Sequence, residues 1–199
     1  MINSKLPFLL DSELDSSEER YYAWYLSDLC DAGYIKGVIP QPEPFKLSER
    51  MSHTYSKQLK TKLQIKEETV IRESIYTTDF YILWDAKALG VFITTLESDD
   101  KIMKGMKPTL DIAHKSDSGD YYSYTEVKPV FDQNNMTRLA RTNIKWVWAN
   151  YKQFINLAIV PKMFKDSFTP DRYLYQDKQV KNKRKLNYTP ITLEEYVKR

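Results

Sequence analysis

The chain is poor in the residues that build disulfide frameworks, zinc sites and flexible linkers. Of its 199 residues one is cysteine, Cys30, two are histidine, His53 and His114, and five are glycine. A lone thiol excludes an internal disulfide, and one Cys with two His is short of a tetrahedral zinc set. Any metal must therefore rest on carboxylates. No apolar run approaches the ~20 residues of a bilayer-spanning helix. One Lys followed by Leu6 to Leu10 is too weak for a signal peptide. The chain is thus expected to be soluble and cytoplasmic.

What is present is enough for one good core: 42% apolar and 14% aromatic residues, with 29% charged. With no internal repeat or low-complexity tract, a single domain over 1–199 is expected, its core at about 16–160 and a basic C-terminal extension at about 166–199. The net charge of +3 hides an uneven distribution, because residues 1–34 carry seven acids against two bases. From Gln133 to Lys165 there are six Lys or Arg and no acid, and Lys178, Lys181, Lys183, Arg184 and Lys185 form a second basic run. Runs of this kind suit a polyanion, although a solvated surface explains many of them.

Ser16 and Glu19 have capping-box spacing, and Tyr22, Tyr25, Leu26 and Leu29 fall on one helical face that Gly33 ends. Ile35 to Leu47 reads as an edge strand or irregular crossing interrupted by Pro40, Pro42 and Pro44. Ser48 to Glu68 fits a hairpin, a short helix or a loop. Strands are expected at Val70 to Trp84, Leu89 to Leu96 and Tyr121 to Val130, with a polar excursion over Glu97 to Asp120. A second amphipathic helix follows, with Met136, Leu139, Ala140, Ile144, Val147 and Tyr151 as its apolar set and Asn134 or Asn135 as its cap. Trp146 and Trp148 are expected in the core or an interface. Phe154 to Val160 reads as a covered strand. Helix, strands, helix, strand is an α/β order: a mixed central sheet flanked by helices.

The chemistry concentrates at Glu126-Val127-Lys128. On a strand the two charged side chains share a face about 6 to 7 Å apart, near enough to serve one substrate or ion. Alone, the pair also fits an ordinary charge pattern on a wet sheet face. Tyr76-Thr77-Thr78-Asp79-Phe80, however, places a second carboxylate in an aromatic, β-branched strand, where an acid is costly to bury without a cation. Two carboxylates on neighbouring strands suit Mg²⁺, and a lysine beside them can orient or deprotonate a bound water. Those are the parts that phosphodiester hydrolysis needs. Glu19 is a further candidate acid, with helix capping as its competing role.

Asp79, Glu126-x-Lys128 on a later strand, a preceding helix with Ser16-x-x-Glu19 and a following helix and strand resemble the PD-(D/E)XK nuclease superfamily. Within it, the sequence is most similar to phage-type Holliday junction resolvases and related phage endonucleases, over about Ser16 to Val160. The resemblance implies a restriction-endonuclease-like core, a Mg²⁺- or Mn²⁺-dependent endonuclease active on branched or duplex DNA, and a homodimer of phage origin acting in host cytoplasm. It implies Asp79, Glu126 and the Val127 carbonyl as metal ligands, Lys128 handling the water and Glu19 completing the acidic cluster. Glu18 competes with Glu19 as the inward acid. The 46 residues between Asp79 and Glu126 demand an inserted hairpin or loop, and Asp111, fifteen before Glu126, competes with Asp79.

Arg138, Arg141, Lys145 and Lys152 recur at intervals of three, four and seven, forming one stripe on the second helix. The stripe suits DNA phosphates without reading sequence. Tyr21, Trp24 and Trp148 are candidates for a dimer interface. Two other readings remain: an exonuclease or repair nuclease on the same fold, and a catalytically silent DNA-binding or recombination accessory protein.

Overall fold

The computed structural model describes residues 14–96, 110–131, 136–175 and 184–198. Helix α1 spans Ser17–Asp31, and Ser16 caps it as its spacing predicts. Ser16 Oγ accepts from the Glu19 backbone N–H at 3.2 Å and donates to Glu19 Oε1 at 2.7 Å, while Asp15 N–H donates to Glu19 Oε2 at 3.2 Å. After Ala32, Gly33 takes φ +75°, and a Cβ there would stand 2.8 Å from Lys87 Nζ. The positive φ favours glycine, while the Lys87 ammonium, at the end of a flexible side chain, could move aside; the helix stops here and the chain turns into the sheet.

The strands are β1 (Ile35–Pro40), β2 (Phe45–Ser48), β3 (Met51–Gln58), β4 (Leu63–Ile71), β5 (Ser74–Tyr76), β6 (Phe80–Trp84), β7 (Ile93–Thr95), β8 (Asp111–Lys115), β9 (Tyr121–Pro129) and β10 (Ile155–Val160). A central sheet of six runs β1-β6-β9-β8-β7, with β10 also on β9. Antiparallel pairing joins β1 to β6 and β6 to β9, whereas β10 lies parallel to β9. The molecule is therefore α/β with a mixed sheet, as expected. Pro40 ends β1 at the sheet edge, where its missing N–H costs no ladder bond.

Several boundaries differ from the sequence reading. The segment from Val70 to Trp84 is not one strand: it holds the end of β4, then β5 and β6. Leu89 to Leu96 keeps only β7, because a 3-10 turn at Ala86–Ala88, capped by the Asp85 carboxylate on Lys87 N–H at 3.0 Å, reverses the chain first. Of the polar excursion, residues 97–109 lie outside the described residues, and the remainder returns to the sheet as β8 and a tight turn at Gly119. Ser48 to Glu68 resolves into the β3–β4 hairpin.

On one sheet face α1 packs Tyr22, Leu26 and Leu29 against Phe80, Ile82 and Trp84. Fully burying each such side chain stabilises by about 1.5 to 3 kcal/mol. On the other face helix α2 (Met136–Tyr151) seats Val147 on Phe45, Leu47, Tyr76 and Ile155. That patch is small, so the apolar set predicted for α2 is only partly buried. Ala140 and Val147 are covered, but Met136, Leu139 and Tyr151 are exposed, as are Trp146 (50%) and Trp148 (39%). Asn134 and Asn135 lie outside the described residues.

Three short helices follow: α3 (Lys162–Asp166), α4 (Asp171–Tyr175) and α5 (Leu193–Val197). Phe168 and Tyr173 enter the α1 core, so packing continues past Val160. Here Tyr21 and Trp24 find their partners, which removes them as candidates for a dimer interface. Tyr21 meets Tyr173 edge-on at 4.9 Å, and Trp24 is buried under the Arg172 guanidinium. Arg184 lies 4.1 Å from the Tyr173 ring centre and 5.1 Å from that of Tyr21, so this member of the C-terminal basic run is a packing element rather than a free cation.

Candidate active site

The antiparallel ladder between β6 and β9 ends at Phe80 opposite Thr125. Beyond it β9 continues alone on that edge, and the Asp79 carboxylate takes over as acceptor: Val127 N–H donates to Asp79 Oδ2 at 2.6 Å. Asp79 thus sits in a bend just before β6 rather than inside a strand. In an antiparallel strand the N–H and C=O of one residue face the same edge. The Val127 carbonyl is accordingly directed to the edge that Asp79 occupies.

Glu126 and Lys128 project from the opposite side of β9 to Val127, as alternation requires. Lys128 Nζ lies 2.6 Å from Glu126 Oε1, with both side chains largely buried. Glu126 Oε2 and the Tyr76 hydroxyl are both buried, and among the described residues neither has a well-aligned hydrogen-bond partner, although the phenol and the carboxylate interact with each other. Burial and the Glu126 charge together push the Tyr76 phenol upward. Tyr76 therefore stands over the same carboxylate, a neighbour that sequence reading did not single out. Its signal was present three residues before Asp79, as an aromatic in a short strand.

Asp79 is pushed up to about 7, first by burial and then by the Glu126 charge; the Val127 hydrogen bond and Lys128 oppose the shift, and Glu19 adds to it. Two carboxylates and one ammonium leave the group short of positive charge. Glu19, not Glu18, is the buried acid of α1. Its two oxygens are engaged by the cap, so it acts on Asp79 through its field rather than by contact. Asp111 is elsewhere. It faces Tyr22 and Tyr25 in a separate cavity of about 200 Å³ bounded by Trp84, Phe92 and Met163, and burial pushes it up to about 7. The structure thus brings Asp79 to Glu126 and leaves Asp111 apart.

Among the described residues, no group of three or more His, Cys, Asp or Glu side chains is arranged to hold a metal ion. The acids that come together are Asp79 and Glu126, and the Val127 carbonyl faces the edge of β9 that Asp79 occupies. Two neighbouring buried carboxylates, with only the Lys128 ammonium and the Tyr76 hydroxyl on Glu126, fit a small hard cation that brings much of its own water shell.

The α2 stripe is exposed along its length: Arg138, Arg141, Lys145 and Lys152 all reach solvent. The first three stand opposite buried Ala140 and Val147. Lys152 falls just past the helix, at φ 57°, with its ammonium on the Ala149 carbonyl at 3.2 Å. No helix among the described residues is long and apolar enough to cross a membrane. Comparisons with known proteins give no match: no protein family, no curated protein and no solved structure.

Proposed function

We propose that the chain is a Mg²⁺-dependent DNA endonuclease that hydrolyses phosphodiester bonds and selects branched DNA, in the manner of Holliday junction resolvases. The observation that carries this reading is the meeting of Asp79, Glu126 and Lys128 where β6 ends beside β9. The succession of α1, three antiparallel strands, α2 and a parallel strand supports a restriction-endonuclease-like core and with it membership of the PD-(D/E)XK superfamily.

Asp79, Glu126 and the Val127 carbonyl would hold Mg²⁺, or Mn²⁺ in its place. When bound, the ion supplies charge stabilisation at the scissile phosphoryl group and lowers the pKa of a coordinated water. Val127 N–H fixes the Asp79 carboxylate. Tyr76 shuts bulk water from one side of Glu126. Lys128, held 2.6 Å from Glu126 Oε1, would orient the attacking water or meet the charge developing on phosphate. Glu19 braces the α1 terminus and adds negative potential at the site. The α2 stripe of Arg138, Arg141 and Lys145, with Lys152 beyond it, contacts phosphates, and two copies would act on the two symmetric strands of a four-way junction.

The test is cleavage of a four-way junction, a linear duplex and a single strand in Mg²⁺ and in EDTA, beside Glu126→Ala and Lys128→Ala. Paired symmetric cuts in the junction, lost in EDTA and in both variants, support the resolvase. Tight junction binding with no cleavage in any divalent ion points instead to the silent accessory role, and stepwise end-degradation to an exonuclease.

A further inference from the structure

The β3–β4 hairpin takes no part in the core. Every β3 residue is exposed, and in β4 only Lys66 is partly covered. An isolated two-stranded ribbon is at best marginally stable, so its upkeep needs a reason outside folding. The pairing register divides its side chains sharply. Tyr55 stands opposite Lys66 and Lys57 opposite Gln64, and by alternation Lys62 joins them on that face. The other face carries Gln58 with Leu63 and Ser56 with Ile65. Lys60 sits in the turn that Leu59 N–H closes on the Lys62 carbonyl at 2.8 Å. Residues 51–66 hold these four lysines and no acid; Glu67 and Glu68 appear only toward the base. None of the four makes an ion pair with a described residue.

We infer that this ribbon is a DNA-binding arm that lies in the major groove of a B-form duplex arm beside the cut site, with Lys57, Lys60, Lys62 and Lys66 on phosphates. The inference rests on the nuclease reading above and names the form of substrate it grips. Charge selects the occupant: a face with three lysines and a fourth at the turn, none ion-paired to a described residue, complements a polyanion. A second copy docking through the same face would set those lysines against their own equivalents. Shape narrows the choice further. The B-form major groove, about 12 Å wide, admits a two-stranded ribbon, whereas the A-form groove of double-stranded RNA is too narrow. At about 3.4 Å per residue the eight residues of β3 reach about 27 Å, close to eight base pairs. Contacts of this kind are independent of sequence, as structure-selective cutting requires.

The test replaces Lys57, Lys60, Lys62 and Lys66 together by Gln in the full chain, with a four-Arg variant as rescue. Substitution on so exposed a ribbon leaves the melting temperature in place, which is checked first. Binding of a 30-base-pair duplex is measured in EDTA over a salt series, beside the same sequence as double-stranded RNA, and sedimentation velocity is run on all proteins. The expected result is a duplex affinity at least tenfold lower for the Gln variant, a slope of log K against log salt about three units shallower, and recovery of both by Arg. Unchanged affinity and slope, in a protein that still cuts junctions, overturns the arm and leaves the nuclease reading standing. Equal loss on RNA, or a dimer that dissociates only in the Gln variant, also overturns it. A wild-type protein that neither binds nor cuts DNA removes the nuclease reading itself.

Discussion

The Asp79 carboxylate occupies the ladder position that β6 vacates, accepting the Val127 N–H at 2.6 Å. This one bond ties the acid to the strand that carries Glu126 and Lys128, next to the point where the β6–β9 ladder ends. Its cost is electrostatic: the carboxyl is held beside Glu126 at low hydration and its pKa rises to about 7. Burial is the first cause of that rise, and the second, the Glu126 carboxylate beside it with only Lys128 to balance the pair, is the physical basis for the metal proposal.

Removing either carboxylate should remove the metal response. Mg²⁺ or Mn²⁺ at millimolar concentration is expected to raise the melting temperature of the wild type by linkage. Asp79→Asn and Glu126→Gln should fold, show no such rise, and lose cleavage by at least about 10²-fold. Thermal melts with and without EDTA check this independently of activity. A full Mg²⁺ response in both variants sinks the assignment.

Lys128 separates binding from chemistry. Lys128→Gln takes away the ammonium that is 2.6 Å from Glu126 Oε1 but leaves both acids. The expected outcome is a Mg²⁺ melting response equal to or larger than the wild type, with cleavage reduced by about 10²-fold. A single-turnover assay at saturating metal measures it. Loss of metal response in place of cleavage would assign Lys128 a structural role only.

How much of this was legible depends on what kind of force placed each residue. Local, periodic signals read true: Ser16 capped α1 and the apolar run Ile155–Val160 became a parallel strand. Glu126 and Lys128 could be put on one face because alternation is a backbone property. The aromatic strand context favours Asp79 over Asp111, but the separation of the two depends on where β8, inside the 46 residues between Asp79 and Glu126, returns to the sheet. Tyr21 and Trp24 were misread for a related reason. Their partners Tyr173 and Arg172 come from a C-terminal segment whose packing has no periodic signature. For α2, periodicity marked an apolar face but not how small a patch of Phe45, Leu47 and Ile155 would meet it.

The α2 stripe predicts salt dependence. Arg141→Gln and Lys145→Gln alter exposed side chains opposite the buried Ala140 and Val147, so stability should shift by less than about 0.5 kcal/mol. Each should lower the salt slope of duplex binding by about one unit and weaken binding by a similar factor on every sequence tested. Fluorescence anisotropy over a salt series is the measurement. Sequence-dependent losses would contradict a purely phosphate-directed contact.

Asp111 offers a test of the electrostatics away from the site. Burial beside Tyr22 raises its folded pKa to about 7 from an ordinary 3.8. Between those values the folded protein holds a proton that the unfolded chain has released, so stability falls as pH rises from about 4 to about 7 and stays low above it. Asp79 contributes in the same direction. Asp111→Asn keeps the shape and removes the titration, so it should stabilise the protein at pH 8 by on the order of 2 kcal/mol and change little at pH 4.5. Urea melts at the two pH values check the sign. A variant less stable than wild type at pH 8 would mean that the hydrogen bond from Tyr22 to the Asp111 carboxylate outweighs the cost of burying the charge.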